Sequence, residues 1–444
     1  MKKWLTVLLL GVFALASTVS YAEPKTQVDA LIEKLVDKGI LTKDDGENLK
    51  GQIAADAGTI TEAAVKKGVP EWAQNLKISG DMRVRLQTER RDNGPAQTTS
   101  GDRLRGRYRA RLNFETKVND KAKVVIGIAT DGGSNNPRSN NVTFSGTTSG
   151  LPSSKPNVIL NKAYGKYDFT DSFGVTGGKV DNPIWEPMEM LYDSDITPEG
   201  GFATYKYKIN NMFSLTTNGG LFMLGEFSGS ASDPFMYFGQ AILTGKFSES
   251  VDAKAAFLYQ GFGNIKSGFG GSGARPTTPS ATSATNTNNP ATGNILVYDY
   301  SAPVGALEIG FNDPLSMLGL GETFPVYIPR VGFFGEYTNN PSPDKANVAW
   351  MAGAYVGNTK VNGWGTWKLT SAYKVIEKDS WLDILPDSDF YSGGTDAKGT
   401  ETVLEVGLAK GLSFGLDYYQ TRRISSSVAK QPEHVLQADI LWKF

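Results

Sequence analysis

The segment Asp102-Arg-Leu-Arg-Gly-Arg-Tyr-Arg-Ala-Arg-Leu-Asn-Phe114 limits what this chain can fold into more than any other stretch. Arg103, Arg105, Arg107, Arg109 and Arg111 fall on every second residue, and Leu104, Gly106, Tyr108, Ala110, Leu112 and Phe114 fill the alternate positions. A period of two is that of a strand, whose successive side chains point to opposite faces. Arginines on one face lie about 6.8 Å apart, so the ladder runs roughly 27 Å along the strand, enough to cross most of a bilayer. On a lipid face each arginine would cost about 2–4 kcal/mol at the midplane. The arginine face therefore belongs in water and the apolar face in lipid.

Composition agrees with a membrane barrel built of strands. The 444 residues are 40% hydrophobic and 11% aromatic, with 50 glycines and no cysteine. Outside residues 4–16 no apolar run approaches the roughly 20 residues of a membrane helix. Met1-Lys-Lys-Trp4, the apolar core Leu5 to Ala16 and Ser20-Tyr-Ala22 follow the order of a secretory signal, with cleavage expected after Ala22. Without cysteine, an exported chain has no disulfide staples and must draw its stability from a large closed structure. Loss of Lys2 and Lys3 with the signal takes 45 basic residues to 43, against 46 acidic. A near-neutral balance gives no nucleic-acid signal, and any charge selectivity must come from local clustering.

Residues 23–75 read as a small helical module on the periplasmic side. Val28, Leu31, Ile32, Leu35 and Val36 recur at helical spacing, Gly39 is a stop, and Thr42 caps a second helix. From residue 76 to 444 the period is two. Strands are expected at 76–87, at the ladder, from 122, and near 158–169, 173–180, 201–209, 212–227, 235–247 and 252–262. Further strands are expected near 295–311, 325–337, 347–357, 364–376, 399–409, 412–423 and 434–444. These number sixteen and predict an antiparallel up-and-down β-barrel, with short turns at one end and long polar loops at the other. The connection 312–324 is the awkward one, rather long for a short-turn position. Tyr259, Trp350, Trp367, Tyr373, Tyr418, Trp442 and Phe444 are candidates for aromatic girdles.

Several stretches together resemble the Gram-negative outer-membrane porins, in particular the group called putative porins. They are the signal, Leu31-Ile-Glu-Lys-Leu-Val-Asp-Lys-Gly-Ile-Leu-Thr42, the arginine ladder, Gly177-Gly-Lys-Val-Asp-Asn-Pro183, and Asp387-Ser-Asp-Phe390 with Gly393-Gly-Thr-Asp396. The ending, with Leu436, Ala438, Ile440, Trp442 and Phe444 alternating, completes the set. The resemblance implies an outer-membrane location among lipid and lipopolysaccharide, and a homotrimer. It also implies that the ending, Ile440, Trp442 and Phe444, is read by the barrel-assembly machinery.

Sixteen strands enclose a water-filled space. Arg83 and Arg85 of the first strand extend the ladder into a positive wall, to which Lys162, Lys166, Lys206, Lys208 and Lys368 add by alternation. Residues 184–200 carry Glu186, Glu189, Asp193, Asp195 and Glu199 among Trp185, Met188, Met190 and Leu191, apolar anchors that want burial. In general porins the loop at this place folds inward, and here its acids would then face the arginines across a constriction. Catalysis has no support: the single histidine, His434, lies near Ser425, Ser426 and Ser427 at a rim. No cofactor is implied, because Gly177-Gly-Lys179 lacks the spacing of a phosphate loop. No metal is implied either, because Asp193 and Asp195, or Asp387, Asp389 and Asp396, lack the glycine placement of a helical calcium loop. The expectation is a passive diffusion channel for small hydrophilic solutes that favours anions, because its wall is positive. The alternatives are a solute-specific anion channel for phosphate or organic acids, and a structural protein tethering the envelope through residues 23–75.

Overall fold

The computed structural model describes residues 27–52, 71–91, 103–132, 136–145, 155–226, 233–266, 285–289, 295–321, 323, 327–425 and 432–444. The expected signal, 1–22, lies outside them, as do Ser426 and Ser427. The chain divides into two compact units, Met1–Gln74 and Asn75–Phe444.

In the first unit, helix α1 (Gln27–Asp37) stops where Gly39 adopts a left-handed φ of 68° and its amide bonds the Val36 carbonyl at 2.9 Å. Residues 43–52 are again helical. The Thr42 hydroxyl accepts from the Asp45 amide at 3.1 Å while the Asp45 carboxylate accepts from the Thr42 amide at 3.3 Å, a reciprocal cap. A Cβ on Gly46 would stand 2.9 Å from a methyl of Val36. The two helices therefore close on each other through a glycine, with Ile32 buried beneath.

The second unit is a closed antiparallel barrel of sixteen long strands. We number them β1 (Lys77–Arg91), β2 (Arg103–Lys117), β3 (Ala122–Asp131), β4 (Asn157–Asp168), β5 (Phe173–Lys179), β6 (Glu199–Lys208), β7 (Phe213–Met223) and β8 (Phe235–Lys246). The second half comprises β9 (Val251–Gly263), β10 (Ala302–Asn312), β11 (Arg330–Asn339), β12 (Val348–Gly357), β13 (Trp367–Ile376), β14 (Ala397–Ala409), β15 (Leu412–Arg423) and β16 (Glu433–Lys443). Each pairs with its sequence neighbour, and β16 pairs with β1, Met82 opposite Trp442. Closure leaves no unpaired edge for lipid to meet. The last residue takes part: the Phe444 and Gly80 backbones exchange hydrogen bonds of 2.9 and 3.1 Å. A Cβ on Gly80 would lie 2.9 Å from the Phe444 ring, so the terminal aromatic seats only against a glycine.

Ile78, Met82, Leu86, Leu104, Val124 and Ile126 stand exposed on the outside, as do Tyr259, Trp350, Tyr373, Tyr418, Trp442 and Phe444. The arginines alternate with them and point inward. Turns of two to four residues join β2 to β3, β4 to β5, β6 to β7, β8 to β9 and β14 to β15 at one end. The connections 313–329 and 358–366 also lie at that end, and the other long connections lie at the opposite one.

Two segments depart from simple alternation. The strand expected from 295 begins at Ala302, while Ile295–Leu296 pairs back with Asn288–Asn289. Asp299 accepts from the Tyr300 amide at 2.8 Å and its carbonyl accepts from Asn340 Nδ2 at 2.8 Å, so side chains hold this stretch against the loops. The strand expected from 325 begins at Arg330, because Pro329 has no amide to give the ladder. The connection 313–329 carries a one-turn helix, Pro314–Met317, capped by Asp313.

The apolar core lies inside the cylinder. Met190, Leu191 and Tyr192 of one connection and Trp381, Leu382, Leu385 and Phe390 of another are buried against Phe222, Phe238, Phe334 and Met351 of the wall. A barrel this wide cannot fill its interior from wall side chains alone, so two loops supply the rest.

Candidate functional site

The inward face of β1 and β2 sets the problem that the rest of the interior solves. Their register places Arg83 opposite Arg109 and Arg85 opposite Arg107, with Asp81 opposite Arg111 and Gln87 opposite Arg105. Like charges directly across a strand pair repel, so this wall needs carboxylates from elsewhere. Asp439 of β16 takes both Nε and Nη2 of Arg85 at 2.8 Å, a fork-on-fork pair, and lies 3.6 Å from Arg83. Asp81 binds Arg109 at 3.0 Å and Arg111 at 2.8 Å. Glu89 bonds Arg105 and stands 3.9 Å from Arg103.

Two loops complete the neutralisation. The connection 181–198 starts on the far wall, where Asn218 of β7 holds the Pro183 carbonyl at 3.0 Å. Gln240 of β8 grips both backbone groups of Trp185 at 2.8 and 2.7 Å. The Lys254 ammonium of β9 sits 3.9 Å from the Trp185 ring centre. The loop then crosses the interior through its buried apolar residues and delivers Asp195 to Arg109 at 3.4 Å and Arg111 at 3.2 Å. The connection 377–396 interlocks with it. Trp381 Nε1 donates to the Leu191 carbonyl at 3.0 Å, the Asp193 amide to the Leu385 carbonyl at 2.8 Å, and the Ser388 amide to Asp193 Oδ2 at 2.8 Å. From it Asp389 reaches Arg85 at 3.1 Å. Arg138 of a third loop donates to the Pro386 carbonyl at 3.0 Å.

The acids singled out from sequence therefore separate. Asp195 meets the ladder by direct contact, and Asp193 ties the two loops together. Glu186 and Glu189 turn away from the arginines: Glu186 accepts from the Leu191 amide at 3.2 Å, and the Glu189 carbonyl accepts from Lys374. Glu199 is corrected outright. It opens β6, its side chain is 66% exposed, and it pairs with Lys179 at 2.9 Å, because the alternation of β6 sends it to the outer face. His434 bonds Tyr418 at 2.8 Å, and the Ser425 hydroxyl is taken by Asp396 at 2.6 Å, so these two do not meet.

The residue that sequence reasoning missed is Lys374 of β13. It is 0% exposed, pairs with Glu401 of β14, lies 3.8 Å from Asp387, and holds the Glu189 carbonyl. Its inward parity was readable beside Lys368, but its partners come from loops distant in sequence.

Burial raises Glu186, Asp193 and Asp387 well above the ordinary carboxyl range, each with neighbouring carboxylates adding to the effect. Asp389 goes the other way: burial opposes its charge, but Arg85 and Arg107 hold it below the ordinary value. A raised carboxyl stabilises the docked loops at pH below its unfolded value of about 4, and that contribution is lost as pH rises through the folded value. The Asp389 contribution is instead lost as pH falls below the same region. Hydrogen exchange at the Met190 and Leu191 amides, corrected for the intrinsic rate, should therefore show weaker protection at alkaline pH than at about pH 5, just above the unfolded value. Equal protection would remove the acids from loop docking.

Two cavities flank the loops. One of 330 Å³ at the long-loop end is lined by Arg105, Arg107, Glu89, Ser139 and Asp389 among others. Another of 480 Å³ lies among the short turns and is lined by Lys123, Lys166, Lys206 and Asp181 among others.

A family model described as "Putative porin" matches residues 87–324 and 330–444. No curated protein matches the sequence. Among solved structures, the chain is similar to OprB of Pseudomonas putida at high pH, with 10% identity and a TM-score of 0.50, covering 84% of this chain and 95% of that one. It is also similar to the outer membrane channel DcaP of Acinetobacter baumannii, with 14% identity and a TM-score of 0.43, covering 83% and 97%.

Proposed function

This chain belongs to the putative porin family, and from that premise we propose that it forms a water-filled path for passive diffusion of small hydrophilic solutes, anions ahead of cations. The family is one of porins and the fold is that of a porin barrel, which supports a channel reading. Width along such a path is set by the two crossing loops, and the lumenal charges set the potential a solute meets.

The observation that carries the anion preference is the charge left over once the ladder's pairs are counted. Arg83, Arg85, Arg109 and Arg111 each have a carboxylate within 4.0 Å, and Arg103 and Arg105 share Glu89. Arg107 has only the Gln87 amide oxygen at 3.1 Å and the Ser139 hydroxyl at 3.4 Å among the described residues. The excess positive charge thus sits toward the long-loop end, where an entering solute would meet it first.

Arg105, Arg107 and Arg109 replaced together by alanine should shift the reversal potential in asymmetric salt toward cations, with a several-fold fall in the anion-to-cation permeability ratio. Arg107→Ala alone should account for most of it, because Arg109 is already neutralised by Asp81 and Asp195. An unchanged reversal potential in planar bilayers would take these residues off the conduction path.

A further inference from the structure

We infer that the 330 Å³ cavity at the long-loop end is a binding site for a small doubly charged oxyanion, anchored by Arg107. The inference deepens the channel reading by naming a solute class, and its first test is independent of conduction.

Arg107 is only 9% exposed, yet no carboxylate stands within salt-bridge distance of it among the described residues, and Asp389, whose charge it feels, is bonded to Arg85 at 3.1 Å. A guanidinium taken out of water is costly unless an anion meets it, and its neighbours on the ladder have one. Its second partner, the Ser139 hydroxyl at 3.4 Å, is at the long limit of a hydrogen bond, so that Nη2 retains most of its donor capacity. The described cavity lining holds five arginines against Glu89, Asp389 and Glu433. Arg91 pairs with Glu433, while Arg423 and Asp389 find their partners outside the lining, in Asp396 at 3.7 Å and Arg85 at 3.1 Å, which leaves two positive charges. One charge is that of Arg107, and the other arises because Arg103 and Arg105 share the single carboxylate of Glu89.

Arg105 and Arg107 occupy alternate positions on one strand face, about 6.8 Å apart. Two forks at that spacing suit oxygens carrying two charges, and a monoanion would leave one guanidinium uncompensated. Hydroxyls of Ser139, Thr285 and Ser388 also line the space and can complete the oxygen shell. The volume is at the small end for ligand sites, about 300–1,000 Å³, which favours a compact guest such as sulfate, hydrogen phosphate or a short dicarboxylate. The other cavity lacks this imbalance. Its lysines Lys121, Lys123, Lys166 and Lys206 face Asp120, Asp168, Asp171 and Asp181.

The test uses the full-length folded protein in detergent at low ionic strength, titrated with sulfate by calorimetry. One saturable site per chain is expected, with acetate and nitrate at least about tenfold weaker. Arg107→Gln should weaken sulfate by about tenfold or more, Arg107→Lys should fall between, and Lys360→Ala in the connection 358–366 at the opposite end should leave it unchanged. Hydrogen phosphate and succinate run in parallel separate phosphate-like from dicarboxylate guests. No saturation with wild-type protein, or equal affinity for monoanions, would overturn the site whatever the variants do. In planar bilayers, sulfate on the long-loop side should then block chloride current saturably. Binding without any chloride current would sink the channel reading and leave the site standing. Chloride current without binding would do the reverse.

Discussion

Lys374→Met is expected to destabilise the protein by about 3–5 kcal/mol, because it removes the cation from a sealed cluster and leaves the carboxylates behind. Glu401 and Asp387 are themselves almost fully buried, and the Lys374 ammonium is what they share with the Glu189 carbonyl. Methionine fills the stem's volume, so the loss is electrostatic and not a cavity. The barrel's outer face is untouched, and the damage should appear first as release of the connections 181–198 and 377–396. A lower unfolding midpoint in denaturant, with noisier and larger single-channel currents, is the expected outcome. Glu401→Gln in the same chain should recover much of the loss, since removing both partners relieves the stranded charge. A midpoint equal to wild type would mean that the cluster does not hold the loops.

Trp381→Ala should cost a comparable amount, about 3–5 kcal/mol, for a different reason. The Trp381 side chain is 0% exposed, stands edge-on to Tyr192 at 5.9 Å, and donates its indole N–H to the Leu191 carbonyl at 3.0 Å. Alanine leaves a void where the two loops pack on each other. Trp381→Phe keeps most of the packing and loses the hydrogen bond, which should cost only about 1 kcal/mol. The measurement is conductance together with hydrogen exchange over residues 184–198. The alanine variant should conduct more and exchange faster there, while the phenylalanine variant stays close to wild type. If alanine and phenylalanine behave alike, the indole packing is not what fastens the crossing loop.

The architecture was largely readable because each strand records its own two environments. Alternation at Leu76 to Leu86 or at the ladder needs no knowledge of any other strand, and sixteen such records define a barrel. Errors fell where side chains and not lipid decided the backbone. Ile295 to Ser301 alternate well enough, yet Asp299 and Asn340 bind that stretch as a loop. Glu199 was grouped with the loop acids because a strand's first residue carries no alternation before it. The connection between the strands expected near 364–376 and 399–409 was not marked as wanting burial, although Trp381, Leu382, Ile384, Leu385 and Phe390 are the same signal that marked 184–200.

The electrostatics were less legible. From sequence the arginines form a bare positive wall. In the folded chain most of them are neutralised, Arg85 by Asp439 at a separation of 354 residues and Arg109 by Asp195 at 86. Among the described residues, what remains positive is a matter of one guanidinium without a carboxylate at salt-bridge distance and one shared carboxylate.

The amino-acid order alone determined that the chain forms a closed barrel with its arginines turned to water, because the choice between lipid and water is made residue by residue. Only the tertiary structure decided which of those arginines keep their charge unanswered. Coulomb pairing depends on distance across the closed cylinder, and that distance is created when β16 meets β1 and two loops fold inside.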